Sequence, residues 1–488
     1  MKKLAVVAIC VAFLCGSALA QDAKTVITNA QKALGDLKSI TYSGSAKDVA
    51  FQQCGSNAAD MICRGTHDPM RPINNYVRVI DLTAPVSRQT GATNNPAGGG
   101  ATAPMPGTFF QQVTAQQADV SQPWANSLEF YITPWGFLTG AATNNATASR
   151  RKIDGKNHTV LTWSPTVKAP SGKSYVINGY VNEQNTVDRV ETWLGENIMG
   201  DMHILATYTG WKDFGGVMAP AKIVQTRGGW PFFEVNVTAA KANPPDVAAL
   251  VPAPGGGRGG GGGAPGGAAP ALTVTSEKLG DGLYRLTTGN GSYDSVIVEF
   301  KDYIMMLEAG QSEARGLAYI AETKKLIPNK PIRYVMNTHP HSDHTGGLPP
   351  LVAEGATIIT QQNNKEFLEK ALNTPRTLLN DTLAKNPKKA KVEAVADKKV
   401  YSDGTRTVEM YHVSPVPHSN GLLIAYIPKE KILFQGDFSV TPGQPANDHV
   451  KALVPILEKM NLDFDRYINV HTSAAPQTKA DVWKAVGK

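Results

Sequence analysis

His339-Pro340-His341-Ser342-Asp343-His344 places three imidazoles and a carboxylate within six residues, in a chain with ten histidines among 488 residues. Imidazole nitrogens and carboxylate oxygens are the ligands that zinc and neighbouring first-row metals take, so metal binding is the chemistry this spacing suits. Three more candidates lie downstream. His418 stands in Pro417-His418-Ser419-Asn420-Gly421, just before an apolar run. Asp437 closes Phe434-Gln435-Gly436-Asp437, and His471 follows Tyr467-Ile468-Asn469-Val470. Each falls at the end of an expected strand, where the loops of a sheet converge on a site. His412 is expected as a supporting or surface residue, and His449 at a helix start, on the surface or at the cleft rim. His67, His158 and His203 are expected to have no metal role.

The elements that must hold these residues are short. Ile332–Met336 reads as a buried strand running into the histidine loop, with Thr345-Gly346-Gly347 as the turn after it. Ser292–Phe300 and Tyr303–Glu308 read as paired strands, Glu313–Leu326 as a helix, Leu348–Ala353 as a short helix and Ala356–Thr360 as the next strand. Gly421–Ile427 and Lys431–Phe434 form a hairpin-like pair. Farther upstream, Ile27, Ala30, Leu34 and Leu37 recur at helical spacing. Strand signals follow at Lys173–Tyr180, Val187–Trp193, Ile204–Tyr208 and Phe232–Val237, with Asn182–Asn185 as a hairpin turn. Six of the seven tryptophans fall in this first half, which suits an antiparallel sheet with an aromatic face. Thr90–Gly107, rich in Gly, Ala, Pro and Asn, reads as a disordered loop.

Composition sets the boundaries. Residues 1–20 read as a secretory signal: Lys2 and Lys3, an apolar core over Leu4–Leu14, and Ala18-Leu19-Ala20 before Gln21. That run is too short for a membrane span, and no stable membrane anchor is expected. The mature protein is therefore expected to be periplasmic or secreted. Cys54 and Cys63 then remain, and in an oxidising compartment they are expected to pair. The formal charge is +7, two units of which belong to Lys2 and Lys3. A balance this mild disfavours nucleic-acid binding, and the basic stretch Lys385–Lys399 reads as a solvated face. Residues 252–271 are Gly- and Pro-rich and read as a flexible linker. The chain thus divides into a mainly β domain at 21–251 and a second domain at 272–488.

The ligand set and its order resemble the metallo-β-lactamase superfamily of metallohydrolases over Leu272–Lys488. The resemblance implies an α+β two-domain protein whose C-terminal half is an αββα sandwich. It implies that His339, His341 and His418 hold one metal, that Asp343, His344 and His471 hold a second, and that Asp437 bridges them. Two zinc ions are the implied cofactors, with manganese or iron as alternatives. A metal-bound hydroxide would attack an ester, thioester, lactone or lactam-like bond of a small-molecule substrate, and Asp343 would also serve catalysis by orienting the nucleophile. Two departures stand out: Glu308-Ala309-Gly310 where many members carry aspartate, and Val470-His471-Thr472 in place of Gly-His. A mononuclear iron dioxygenase of the same fold is the alternative. The N-terminal domain, mainly antiparallel β with a helix, resembles the periplasmic lipoprotein-carrier half-barrel over Ala23–Asn243, through segments such as Tyr180-Val181-Asn182-Glu183 and Trp211–Pro220. That resemblance allows a further reading, a hydrophobic-ligand binder with a vestigial metal site. Substrate selection is expected from the stretch after Gln361, and from the first domain should it dock over the cleft.

Overall fold

The computed structural model describes residues 22–48, 70–94, 104–106, 124–251, 272–288, 293–416, 418–471 and 475–488. The signal, the Cys54/Cys63 pair, His67 and the Gly-rich stretch at 252–271 lie outside the described residues.

The N-terminal region is one large antiparallel sheet. Its strands are β1 (Ser39–Asp48), β2 (Arg71–Asp81), β3 (Val86–Asn94), β4 (Pro104–Pro106), β5 (Thr147–Ile153), β6 (Lys156–Trp163), β7 (Ile177–Val181), β8 (Val187–Glu196), β9 (Gly200–Asp213), β10 (Met218–Arg227) and β11 (Trp230–Ala242). They lie in the order β4-β3-β2-β1-β11-β10-β9-β8-β7-β6-β5. Alternation decides the faces: along β9 it is Met202, Ile204, Ala206 and Tyr208 that are buried, every second residue. Helix α1 (Ala23–Ala33) covers part of the sheet with Val26, Ile27 and Ala30, so of the expected stripe Ile27 and Ala30 lie on the helix and Leu34 at its C-cap, and Asp22 caps its start by accepting from the Lys24 amide. Two helices that the sequence pattern did not announce, α2 (Trp124–Tyr131) and α3 (Pro134–Thr143), join the same core. A four-residue helix, α4 (Val247–Leu250), ends the region.

Two expectations are corrected. Thr90–Asn94 belongs to β3 and residues 104–106 pair with it, so Thr90–Gly107 is not wholly loop. The strand expected from Lys173 begins only at Ile177, because Lys173 and Ser174 fold back on the preceding residues: Lys173 O accepts from Ala169 N at 2.9 Å and Ser174 bridges to Lys168. The Asn182–Asn185 turn does close β7 onto β8, with Asn185 at φ +60°.

The C-terminal domain is four-layered. A seven-stranded sheet runs β12 (Val274–Gly280), β13 (Leu283–Thr288), β14 (Asp294–Glu299), β15 (Ile304–Leu307), β16 (Ile332–Met336), β17 (Thr357–Gln361) and β18 (Lys391–Val395) in sequence order. It is antiparallel up to β15 and parallel from β15 to β18. A five-stranded sheet holds β19 (Lys398–Ser402), β20 (Thr407–His412), β21 (Leu423–Ile427), β22 (Ile432–Gln435) and β23 (Arg466–Asn469). Val296, Val298, Met305 and Leu307 of the first sheet meet Met410, Leu423, Ala425 and Phe434 of the second in a shared core. On the outer face of the first sheet lie α5 (Glu313–Leu326), α7 (Leu348–Glu354), α8 (Gln362–Leu372) and α9 (Thr382–Lys385), while the single turn α6 (Ser342–Thr345) lies in the connection that follows β16. On the outer face of the second lie α10 (Asp448–Met460) and α11 (Lys479–Ala485). This is the expected αββα sandwich.

Candidate metal centre

Four parallel strands end at one edge of the sandwich, β15 and β16 of one sheet and β22 and β23 of the other. Backbone bonds stitch that edge together: Leu423 N donates to Thr338 O at 2.8 Å, and Asp294 N to Val470 O at 2.7 Å. The segments leaving these strands carry Glu308, His339–His344, Asp437 and His471, and the β20–β21 connection adds His418. After His341 the chain winds into the single turn α6, so Asp343 and His344 sit on a helix and not in the open loop that the sequence suggests. Asn337 fixes the turn from inside, its amide donating to His339 O (2.8 Å) and His344 O (3.1 Å).

All seven expected ligands are brought together. His339, His341, His418 and Asp437 form one group, and Asp343, His344 and His471 a second. Asp437 faces both. Its Oδ2 lies 2.7 Å from His418 Nε2 and 3.5 Å from His339 Nε2, while its Oδ1 lies 2.8 Å from His344 Nε2 and 2.7 Å from His471 Nε2. Imidazole nitrogens also crowd one another: His339 Nε2 to His341 Nδ1 is 2.9 Å, and to His418 Nε2 3.0 Å.

This donor set fits divalent ions. Asp437 Oδ1 is buried and has no hydrogen-bond donor among the described residues, although two imidazole nitrogens stand within 2.8 Å of it. Several imidazole nitrogens and one carboxylate converge here at ligand spacing, which is what a ligand cage looks like from the protein side. Burial, reinforced by the neighbouring imidazole of His344, pushes His339 down to about 3, and burial, reinforced by His339, holds His341 well below the ordinary imidazole range. Both are therefore neutral, the form that ligates. Burial also opposes charge on His344, but the carboxylates of Asp437 and Glu308 outweigh it and hold that ring above its ordinary range. A field that retains a proton there favours a cation equally.

Glu308 occupies the place where an aspartate was expected, and it reaches its targets. Fully buried at the end of β15 with φ +73°, it accepts from Thr338 Oγ1 at 2.6 Å and lies 3.2 Å from His344 Nδ1. A proton shared there leaves His344 Nε2 free to face the centre. Val470, the other departure, is buried in the intersheet core and bonds Gln435.

Two nearby residues were not singled out from the sequence as site groups. Tyr293 places its hydroxyl 3.5 Å from Asp343 Oδ2 and its ring edge against His471, with centroids 4.9 Å apart. The Arg315 guanidinium lies over that ring, and Tyr319 bonds the Tyr293 carbonyl. His449, at the start of α10, packs on His418 at 4.9 Å and so stands at the rim. His412 bonds Asn420 O, supporting the loop that carries His418. His158 and His203 pair with Asp188 and Glu191 in the N-terminal region.

A helix–sheet–sheet–helix sandwich with two His/Asp clusters at one edge defines the class. Residues 288–476 match the family model described as the metallo-beta-lactamase superfamily. Similar solved structures include a metallo-beta-lactamase from Pontibacter korlensis, at 16% identity and TM-score 0.34, covering 44% of this chain and 98% of that one. The DIM-1 metallo-beta-lactamase is 15% identical with TM-score 0.35, covering 44% of this chain and 97% of that one. A metallo-beta-lactamase from Hirschia baltica is 19% identical with TM-score 0.33, covering 43% and 95%.

Proposed function

We propose that this protein is an exported, dinuclear metal-dependent hydrolase acting on an ester, thioester, lactone or lactam-like bond of a small molecule. The observation that supports it most directly is Asp437, whose two oxygens address separate imidazole groups 2.7 and 2.8 Å away. His339, His341 and His418 would hold one ion and Asp343, His344 and His471 the other, with Asp437 common to both. Zinc suits this nitrogen-rich set, and manganese or iron is the alternative. Such a pair of ions lowers the pKa of water toward neutrality and polarises a carbonyl. The chain's own groups divide the remaining work. Asp343, half-buried at the cleft side, is placed to take the nucleophile's proton at Oδ2. The Tyr293 hydroxyl beside it can donate to a substrate oxygen. Export rests on the leader at residues 1–20, and the division at 252–271 into two units is retained. Neither nucleic acid nor a stable membrane anchor enters this reading.

The test is metal content together with ester, lactone and β-lactam turnover of the mature protein, alongside His341→Ala. Two zinc equivalents, with turnover lost in the variant, is the expected result. One iron with oxygen consumption would replace the reading by a dioxygenase of the same fold, and a folded protein that retains no metal would end it.

A further inference from the structure

The N-terminal region touches the metal loop. Between β8 and β9 the chain turns over Glu196–Gly200, and the Glu196 carboxylate accepts from the amides of Ile198 (2.8 Å) and Met199 (2.6 Å), which shapes the turn. This turn is locked onto the segment 374–379 of the C-terminal domain. Asp201 N donates to Pro375 O at 2.6 Å, and the Asp201 carboxylate accepts from Thr377 N and Leu378 N, both at 2.9 Å. A Cβ on Gly200 would lie 2.5 Å from Pro375 O, so the two backbones approach as closely as glycine allows. Arg376, buried and paired with Asp381, donates through Nη2 to Asn197 O at 2.5 Å. From this anchored turn the Asn197 side chain reaches out, and its Nδ2 donates to Gly346 O at 2.8 Å.

Gly346 is the C-cap of α6, the turn that carries Asp343 and His344. Carbonyls at a helix end lack partners within the helix, and a one-turn helix has little cooperativity of its own. Asn337 holds α6 from the strand side, and Asn197 holds its far end from the other region of the protein. Gly346 is also packed closely on its other side, since a Cβ there would lie 1.8 Å from Gln311 O.

We infer that Asn197 is a positioning residue of the metal centre: through Gly346 it fixes the helical turn that presents Asp343 and His344. The N-terminal region is thereby part of the metal site's framework. The inference rests on the metal-centre reading above, and it gives the region a role outside the family match at 288–476.

The test uses the full chain and zinc itself as the probe, with affinities from chelator competition and the cobalt(II) absorption spectrum as a report on ligand geometry. Asn197→Ala is expected to weaken the looser of the two zinc sites by about tenfold and to alter the cobalt spectrum. Asn197→Asp, the same size but unable to donate, must behave alike, which guards against a folding defect in the first variant. Asp201→Ala removes two docking bonds, while the Asp201 N–Pro375 O and Arg376–Asn197 O bonds still anchor the turn that carries Asn197. It is expected to lower the thermal midpoint while leaving zinc affinity within about twofold of the wild type. Wild-type affinity in both Asn197 variants would overturn the inference, as would an equal loss in Asp201→Ala. A wild type that binds none of zinc, cobalt, manganese or iron would overturn the metal-centre reading and this inference with it.

Discussion

Glu308 sits in a backbone region that side chains other than glycine rarely occupy, and it does so beneath the imidazole of His344. Its carboxylate, 3.2 Å from His344 Nδ1, is placed to keep a proton on that nitrogen. Glu308→Gln keeps the size and removes the charge, so metal affinity should fall by about tenfold or more, measured by chelator competition. An unchanged affinity would show that Thr338 and packing alone orient the ring. Tyr293 differs in kind. Burial, with Asp343 adding to it, pushes its phenol up to about 12, so it remains a neutral donor at any working pH. Tyr293→Phe keeps the ring under Arg315 and the backbone bond from Tyr319. The expected outcome is a kcat lower by about tenfold with full metal content; equal turnover would remove the hydroxyl from the chemistry. The sequence exposes the His339–His344 cluster because its members are neighbours along the chain. Tyr293 and Glu308 meet their partners across 50 and 36 residues, a distance that no local spacing records.

Among the elements, those that read clearly are those whose pattern is also their packing. Helix α5 spans Glu313–Leu326 as expected because Ser312 caps it by accepting from Arg315 N and Tyr319 and Ile320 face the sheet. Helices α2 and α3 were not legible, since Trp124, Phe130, Trp135, Gly136 and Gly140 favour helix weakly. Burial and the Thr133 cap, which accepts from Gly136 N at 3.0 Å, make α3 helical nonetheless. The β7–β8–β9 ladder contains a measurable electrostatic element. Glu191 accepts from Tyr180 (2.6 Å) and Asn178 (3.0 Å) and pairs with His203 (3.0 Å). Burial alone would raise its carboxyl, but these bonds outweigh burial and hold it down to about 2, against an ordinary 4.5. A depressed acid stabilises the fold fully above its unfolded pKa, and that contribution is lost as pH falls from 4.5 toward 2. Allowing for partial solvent access, it is about 1–2 kcal/mol. In urea titrations across this window the wild type should lose stability more steeply than Glu191→Gln, and parallel profiles would refute the assignment.

At the scale of the whole molecule, the Gly-rich stretch at 252–271 suggests two units on a loose tether, yet the described parts are docked. Besides the turn at Glu196–Asp201, Trp230 packs on Phe367 at 6.3 Å and under Lys370 at 5.3 Å, and one apolar cluster continues from the N-terminal sheet to the helices over the seven-stranded sheet. The sequence conceals this contact because its partners, Trp230 on β11 with Phe367 and Lys370 on α8, and the turn at 196–201 with the loop at 374–379, lie more than a hundred residues apart and share no local periodicity. Docking has a thermodynamic consequence. Metal that binds only the native state stabilises it by about 4 kcal/mol when free metal exceeds Kd a thousandfold. In a rigidly docked molecule that stabilisation extends to both regions. Tryptophan emission separates the two outcomes, because six of the seven tryptophans lie in the N-terminal half and only Trp483 in the other. Chelation should lower the midpoint of the tryptophan transition and that of far-UV ellipticity together. If the tryptophan transition stays in place while part of the ellipticity moves, the two regions unfold independently, and the contacts at Asn197, Arg376 and Trp230 are too weak to couple them.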